Sequence, residues 1–334
     1  LEEQRNRDLP PMPVITTAKE YQERGNAAVT RYHEFLAAKD IMAVEPWMDP
    51  AMRAHVGEFV AEDQRNFFAI ATHYEPLTLY THFYHWWDLA RMREQPHTSA
   101  IRRGPLLYNI WDSRAEGMAT GMEEMMMHAG LYDAQPRARE IVWIMLAQRA
   151  ARGLGSLYAH ANEFTLKQAK DFHVAWTPRG WMREDLDLLG FEQLLYLRQP
   201  GYGTSYVVGK YQVERLLMER ARQQGADFNM RGFFAEIDAA GLIPMSLIRW
   251  QLTGEDDELQ ALLAHLGADV HQPLAVVLGV DQAPDHEALL GRQRFEQVAD
   301  LGRGQGVDHA PYRPEAAGIE RLRQRLHLPR GLVD

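Results

Sequence analysis

The chain has 334 residues, 46% of them hydrophobic, which is enough to bury the core of one large domain or two ordinary ones. Its net charge of −10, with no dominant basic stretch, argues against nucleic acid as a partner. The absence of cysteine excludes disulfides and a thiol nucleophile, and no apolar run approaches the about 18 residues that a membrane span needs. Because the chain begins at Leu1, the sequence does not decide whether a start segment or signal peptide has been removed, and no compartment is predicted.

The first half of the chain is predicted to be mostly helical. Thr16-Thr17 introduces a helical pattern over 18–39, whereas the aromatic and β-branched residues of 66–72 predict a small β element. Apolar periodicity and helix-stop signals then predict further helices, which cover about 76–93, 107–130 and 136–162.

The second half continues this pattern. Helices are predicted over 165–176, 183–197, about 203–223 and 257–266, with a last helix over 315–326. The apolar run 274–280 predicts a strand. The class is therefore mainly α.

Two histidines, His82 and His85, lie three residues apart in a predicted helix, so their side chains share one face and can bind one metal ion. Their neighbours are mostly aromatic, and core histidines with satisfied hydrogen bonds are the alternative. Glu116 and Glu123 share a face of the next helix among small and apolar residues, where a buried carboxylate needs a metal, an arginine or another donor. A solvated acidic stripe is the alternative for these two residues.

Polar residues form a stripe on the following helix at Arg149, Arg152, Ser156 and His160, which predicts a buried polar network or the wall of a substrate site. An amphipathic surface helix is the alternative. Glycines around Tyr202 and Tyr206 at the start of a later helix would allow a phenol or a helix-start amide to approach an oxyanion, although a plain turn explains the same pattern.

These landmarks together resemble the bacterial domain-of-unknown-function family numbered 885, a metallopeptidase-like group, from about residue 66 to 254. The family has a His-Glu-x-x-Pro-Gly-His helix, then Glu-Gly-Trp-Ala, an Arg- and His-bearing helix, and a Pro-Gly-Gln-Ala-x-Ser-Tyr-x-x-Gly-Lys segment. The matching residues here are His82, Glu116-Gly117-Met118-Ala119, Glu123, Gly130-Leu131-Tyr132-Asp133, Arg152, His160, Pro200-Gly201, Ser205-Tyr206, Gly209-Lys210 and Gly241-Leu242-Ile243-Pro244. The resemblance implies a gluzincin-like helical metallopeptidase scaffold.

The departures from the family pattern concern its chemistry. Phe83 stands where the family has the general base, and Asp88 stands where it has the second histidine ligand. On a straight helix Asp88 lies about 120° from His82, and His85 is closer in phase. We therefore expect His82, His85 and Glu116 to be the metal ligands, a set that suits Zn, Fe(II) or Mn(II).

Three functions are compatible with these residues. The first is an enzyme that uses a divalent metal for lyase- or isomerase-type chemistry on a small molecule rather than for peptide hydrolysis, because Phe83 cannot accept a proton. Its predicted catalytic residues are Glu123, Arg152, His160 and Tyr206, with Arg152 and His160 pointing into the cavity of Glu116. The second is a metal-free acid–base enzyme with the same cleft. The third is an inactive pseudo-peptidase or partner subunit.

The resemblance covers only the C-terminal half of the family pattern, which has consequences for domains and partners. We expect a lead-in and helix over 1–65, the family-like catalytic region over 66–254, and an extension over 255–334 packed on it. The missing half would leave the aromatic segment from Phe67 to Trp87 open, so we expect a homo-oligomer or a complementary chain. Coverage of this face by residues 1–65 and the tail is the alternative.

Overall fold

The computed structural model describes residues 1–104 and 112–265, which lie within one compact unit, Leu1–Leu266. Its described residues form fourteen α-helices, four short 3₁₀ turns and no strand. The α-helices are α1 (Glu2–Arg5), α2 (Ala18–Ala38), α3 (Met48–Arg53), α4 (Phe67–Tyr74), α5 (Pro76–Tyr80), α6 (Tyr84–Glu94), α7 (Asp112–His128), α8 (Ala138–His160), α9 (Leu166–Trp176), α10 (Asp187–Arg198), α11 (Tyr202–Gln224), α12 (Met230–Ala240), α13 (Met245–Thr253) and α14 (Asp257–His265). The predicted mainly α class is confirmed.

The β element predicted over 66–72 is wrong, because this segment is helix α4. Asn66 caps its N-terminus, with the side-chain oxygen accepting a hydrogen bond from the backbone N–H of Ala69 at 3.0 Å. Phe67 and Ala71, four residues apart, are both fully buried, which is the spacing of a helix face. Capping and helical burial therefore outweigh the strand preference of the aromatic and β-branched residues.

The helix predicted over 76–93 is interrupted. It consists of α5 and α6 joined by a 3₁₀ turn, Thr81–Phe83, which contains His82. A 3₁₀ segment between two α-helices often marks a functional position, since it changes the direction of the side chains that follow.

The aromatic segment from Phe67 to Trp87 is buried within the chain, so the expectation that it forms an open face is wrong. The ring of Trp87 stacks on Tyr32 of α2 with centroids 5.5 Å apart, and the hydroxyl of Tyr21, also on α2, donates to Thr72 at 2.9 Å. Helix α2 covers this face, which removes the original reason for expecting a partner chain; the oligomeric state itself stays a prediction.

Methionines of α7 fill the main core together with aromatic residues of α2, α6 and α12. Met118, Met122 and Met126 are almost completely buried in this cluster. No helix in the described ranges is both long and apolar enough to cross a membrane. The strand predicted over 274–280 and the helix over 315–326 lie outside the described residues, and the division at residues 65 and 254 stays a prediction.

Candidate metal centre

Two glycine contacts place α11 directly against α7 and α8. A Cβ atom on Gly209 would lie 2.0 Å from the backbone oxygen of Ser113, and one on Gly117 would lie 2.3 Å from the backbone of Gly209. A Cβ atom on Gly153 of α8 would lie 2.9 Å from the carbonyl oxygen of Gly203. Only glycine permits such close helix crossings, and they bring the first turns of α11 beside the functional faces of α7 and α8.

The centre of the site is His82, which lies between two carboxylates of α7. Its Nε2 is 3.1 Å from Oε2 of Glu116, and its Nδ1 is 3.0 Å from Oε1 of Glu123. All three side chains are buried. Since Glu116 and Glu123 are seven residues apart, two helical turns place them on the same face of α7, one on each side of the imidazole.

His85 completes a potential set of metal ligands. The rings of His82 and His85 are perpendicular with centroids 4.9 Å apart, and the ligand atoms of His82, His85 and Glu116 lie within 4.8 Å of one another. Two imidazoles and one carboxylate form a donor set that suits Zn, Fe(II) or Mn(II). The residues present therefore fit a divalent metal, in the combination that the sequence predicts.

Protonation favours this set as well. Burial, and to a smaller degree the nearby positive charges, lowers the pKa of His85 to about 3, so its ring is neutral near pH 7 and can bind a metal. Burial alone would raise the pKa of Glu116, but the hydrogen bond from His82 and the electrostatic influence of the two nearby imidazoles hold it well below its usual range. Glu116 is therefore a carboxylate.

Glu123 and Arg149 form a second layer that orients His82. Arg149 donates to both carboxylate oxygens of Glu123 at 2.5 and 2.6 Å, and both side chains are almost completely buried. Nη2 of Arg149 carries two protons, so it can donate to Glu123 and also to Nδ1 of His82, which lies 3.2 Å away. When Nδ1 accepts from Arg149, the ring proton lies on Nε2 and is donated to Glu116. When the ring proton lies on Nδ1, beside Oε1 of Glu123 at 3.0 Å, Nε2 is free for a metal.

The buried charges near His82 do not balance. Glu116 and Glu123 contribute two negative charges against the one positive charge of Arg149, while His85 is neutral. A buried excess of negative charge is costly, so the site needs one more cation, either a second proton on His82 or a metal ion.

Aromatic and cationic side chains of α8 and α11 form one wall of the site. Tyr206 stacks on His82 with centroids 6.1 Å apart, and the guanidinium of Arg152 lies 3.8 Å from the centre of the Tyr206 ring. Arg152 also donates to Glu192 of α10 at 2.8 Å. The hydroxyl of Tyr202 donates to Oε1 of Glu116. His85 and Tyr202 are half-buried, so the site opens to solvent on their side.

Some residues singled out in the sequence lie elsewhere. Nε2 of His160 is 2.8 Å from the carbonyl oxygen of Tyr196, and eight helical residues place it about 12 Å along α8 from Arg152. The structure therefore does not bring His160 to the cavity of Glu116. Phe83 packs against Tyr80 in the core, and Asp88 pairs with Arg91 and Arg114 rather than with the histidines.

Asp112 was not predicted as a site residue. It lies one turn before Glu116 on the same face of α7, it is buried, and its Oδ2 has no hydrogen-bond partner in the described part of the chain. Burial and the charge of Glu116 raise the pKa of Asp112 to about 6. A carboxyl group with a pKa near neutrality is suited to accept and return protons. The i, i+4 spacing with Glu116 was the only signal available in the sequence.

Comparisons with known proteins add little to this description. No protein family model matches the chain, and no curated protein matches it. Among solved structures it is similar to a candidate lipoprotein from Colwellia psychrerythraea, with a TM-score of 0.41 and 19% identity over 51% of this chain. The match covers 30% of that protein's length, and a likeness of this size supports no conclusion about fold or function.

Proposed function

We propose that this protein is an enzyme in which His82, His85 and Glu116 hold a divalent metal, Zn, Fe(II) or Mn(II). The observation that carries the proposal is the convergence of three ligand atoms within 4.8 Å around an imidazole whose other nitrogen faces a carboxylate fixed by an arginine. This is the arrangement that orients histidine ligands in metalloproteins. The resemblance to the family numbered 885 agrees with it and remains a proposal.

The reaction that this site favours is lyase- or isomerase-type chemistry on a small polar molecule. A bound divalent metal would supply Lewis-acid polarisation of a substrate oxygen. Peptide hydrolysis is disfavoured because Phe83, next to His82, is a core residue and cannot act as a base. Glu123 is not available for that role either, since both of its oxygens accept hydrogen bonds from Arg149.

Proton transfer is assigned to Asp112, and positioning to Arg152 and the two tyrosines. The raised pKa of Asp112 allows it to hold a proton in one step and release it in another. Burial raises the pKa of Tyr206 above its usual value, so its phenol stays protonated and can donate to a developing oxyanion. The buried Nε of Arg152 and Oε2 of Glu192 have no hydrogen-bond partner among the described residues, which favours a polar substrate.

A metal-free acid–base enzyme is the second candidate. It is favoured by one observation: His82 already contacts both Glu116 and Glu123, so a doubly protonated imidazole would satisfy both carboxylates without an ion. The two candidates differ in which cation balances the buried charge.

Elemental analysis of the purified chain separates them. We expect close to one equivalent of metal in the wild type and a sharp loss in His82→Ala and Glu116→Gln, because a three-ligand site depends on each ligand. His128→Ala is the matched control, since His128 lies at the exposed end of α7 and contacts Glu124 and the ring of Trp143, neither of which belongs to the His82 site. Equal metal content in all three variants, or none in the wild type after loading with Zn, Mn and Fe(II), would exclude the metal enzyme.

A further inference from the structure

A separate cleft of about 380 Å³ lies between α6, α12 and the segment around residues 97–103. This volume is within the range of about 300–1,000 Å³ that small-molecule sites have. Arg114 lines the cleft, whereas Glu116, two residues later on α7, points about 200° away around the helix axis. None of the three potential metal ligands lines the cleft.

The floor of the cleft is a neutral ionic network. Asp88 pairs with Arg91 at 2.8 Å and with Arg114, and Arg91 also pairs with Asp238 at 2.8 Å. Two carboxylates and two guanidiniums balance, so the floor offers a bound molecule polar contacts but no net charge.

The rim of the cleft is positively charged. Arg103 and Arg102 make hydrogen bonds to backbone carbonyls and to Gln251, and neither pairs with a carboxylate in the described ranges. Arg231 pairs with Asp40 outside the cleft, but both side chains are more than half exposed, where such a pair contributes little. Against these three cations, Glu45 is the single rim carboxylate without a guanidinium partner among the described residues. The rim is therefore cationic in a chain whose net charge is −10.

A histidine donor lies beside these arginines. The backbone N–H of Ser99 donates to Nδ1 of His97 at 2.9 Å, so the ring proton lies on Nε2. His97 lines the cleft and is half-buried. An N–H donor next to two guanidiniums suits an oxyanion group.

The walls of the cleft are apolar. Met42, Met48, Met92, Phe234 and Leu242 line it. Methionine side chains adapt to ligands of irregular shape, so these walls suit a hydrocarbon body rather than a second charged group.

We propose that this cleft binds a small organic anion with an apolar body, whose carboxylate or phosphate group is held by Arg102, Arg103 and His97. The cationic rim binds the anionic head group, and the methionines and Phe234 contact the apolar body. The charge-balanced floor makes a second charge on the ligand unfavourable. The proposal is independent of any metal at His82.

Isothermal titration calorimetry on the whole chain tests the proposal with four probes: octanoate, octyl phosphate, octanol and inorganic phosphate. We expect octanoate or octyl phosphate to bind at one site, at least tenfold more tightly than octanol or inorganic phosphate, because both the charge and the apolar body contribute. The tighter of the two amphiphilic probes identifies the head group as a carboxylate or a phosphate. The proposal would be overturned if octanol or inorganic phosphate bound as tightly as octanoate and octyl phosphate. It would also be overturned if no probe showed saturable binding.

Matched arginine variants locate the site. Arg103→Gln should weaken binding of the preferred probe at least tenfold, since it removes a charged donor that is exposed and has no carboxylate partner in the described structure. Arg93→Gln removes the same charge from α6 outside this cleft, and it should leave the affinity unchanged within twofold. Equal affinities in the two variants would show that the anion binds elsewhere.

Discussion

Helix α7 has a buried ionic cluster on each of two faces, and the two clusters differ in charge balance. The Arg114 cluster contains Asp88, Arg91, Arg114 and Asp238, whose two carboxylates and two guanidiniums pair with one another. The His82 cluster contains His82, Glu116, Glu123 and Arg149, in which two carboxylates face one guanidinium. A balanced buried network is what a structural role requires, whereas an unbalanced one requires a further cation. We therefore propose that a metal binds on the His82 side of α7, and that the Arg114 cluster stabilises the fold beneath the cleft.

The largest expected effect is on stability, through the balanced cluster. Arg114→Ala leaves the buried Asp88 and the half-buried Asp238 with one guanidinium, and breaking the buried Asp88–Arg114 pair costs about 3–5 kcal/mol. We expect a loss of this size in the free energy of unfolding, measured by urea denaturation, with metal content unchanged in the protein that stays folded. Arg93→Ala, at an exposed position of α6, is the control and should change the free energy of unfolding by less than about 0.5 kcal/mol. A small loss for Arg114→Ala would remove the distinction between the clusters.

The next effect tests the helix crossing that positions the His82 side. Gly209→Ala places a Cβ atom 2.0 Å from the backbone oxygen of Ser113, which cannot move without shifting α7. We expect a loss of up to about 3 kcal/mol, together with weaker metal binding because Tyr202 and Tyr206 shift with α11. Gly190→Ala on α10 is the control. A Cβ atom added there meets no neighbouring atom within 4 Å, so the free energy of unfolding should rise by about 0.5–1 kcal/mol. Similar stability changes in both variants would contradict the close crossing.

Most helices of the described chain follow from local signals in the sequence. The Thr17 cap and the apolar spacing of α2 predict its start at residue 18, and the observed helix is Ala18–Ala38. The β element predicted over 66–72 is wrong because two local signals conflict there. The aromatic composition favours a strand, whereas the Asn66 cap and the Phe67–Ala71 spacing favour a helix. The 3₁₀ turn at Thr81–Phe83 was missed because it changes the helix geometry without any proline or glycine.

The convergence of His82, His85 and Glu116 is predicted from spacing and from the family resemblance, and the structure brings these three side chains together. The role of Glu123 could not be assigned in the same way. Its sequence position makes it a candidate base, but its contacts with Arg149 and His82 come from two other segments of the chain. The pKa of Asp112 likewise depends on burial, which periodicity near a helix start does not define.

A third prediction concerns the layer behind His82. Glu123→Gln keeps the shape of the side chain but removes the negative charge 3.0 Å from Nδ1 of His82, which favours a ring proton on that nitrogen when Nε2 binds a metal. Changes of this kind lower metal affinity by about 10–100-fold. Competition with a chromophoric chelator measures the affinity of the wild type and the variant. Glu124→Gln, the next residue on α7, pairs with Lys210 and should leave the affinity unchanged. An unaltered affinity in Glu123→Gln would show that His82 is oriented by other contacts.

The smallest effect is a pH dependence at Asp112, which reports directly on the excess negative charge. Its pKa is raised to about 6 by burial and by the charge of Glu116, so the folded protein holds this proton more tightly than the unfolded chain does. The stabilisation from this proton is complete below about pH 4 and is lost as the pH rises through 6, whereas an asparagine does not titrate. In the presence of a chelator, the unfolding free energy of Asp112→Asn relative to wild type should therefore rise by about 1–2 kcal/mol between pH 4 and pH 7. A bound divalent metal would stabilise the ionised carboxyl, so saturation with Mn²⁺ should reduce this rise. A difference that stays flat from pH 4 to pH 7 without metal would mean that Asp112 is a normal carboxylate, and that the His82 side of α7 carries less unbalanced charge than its contacts indicate.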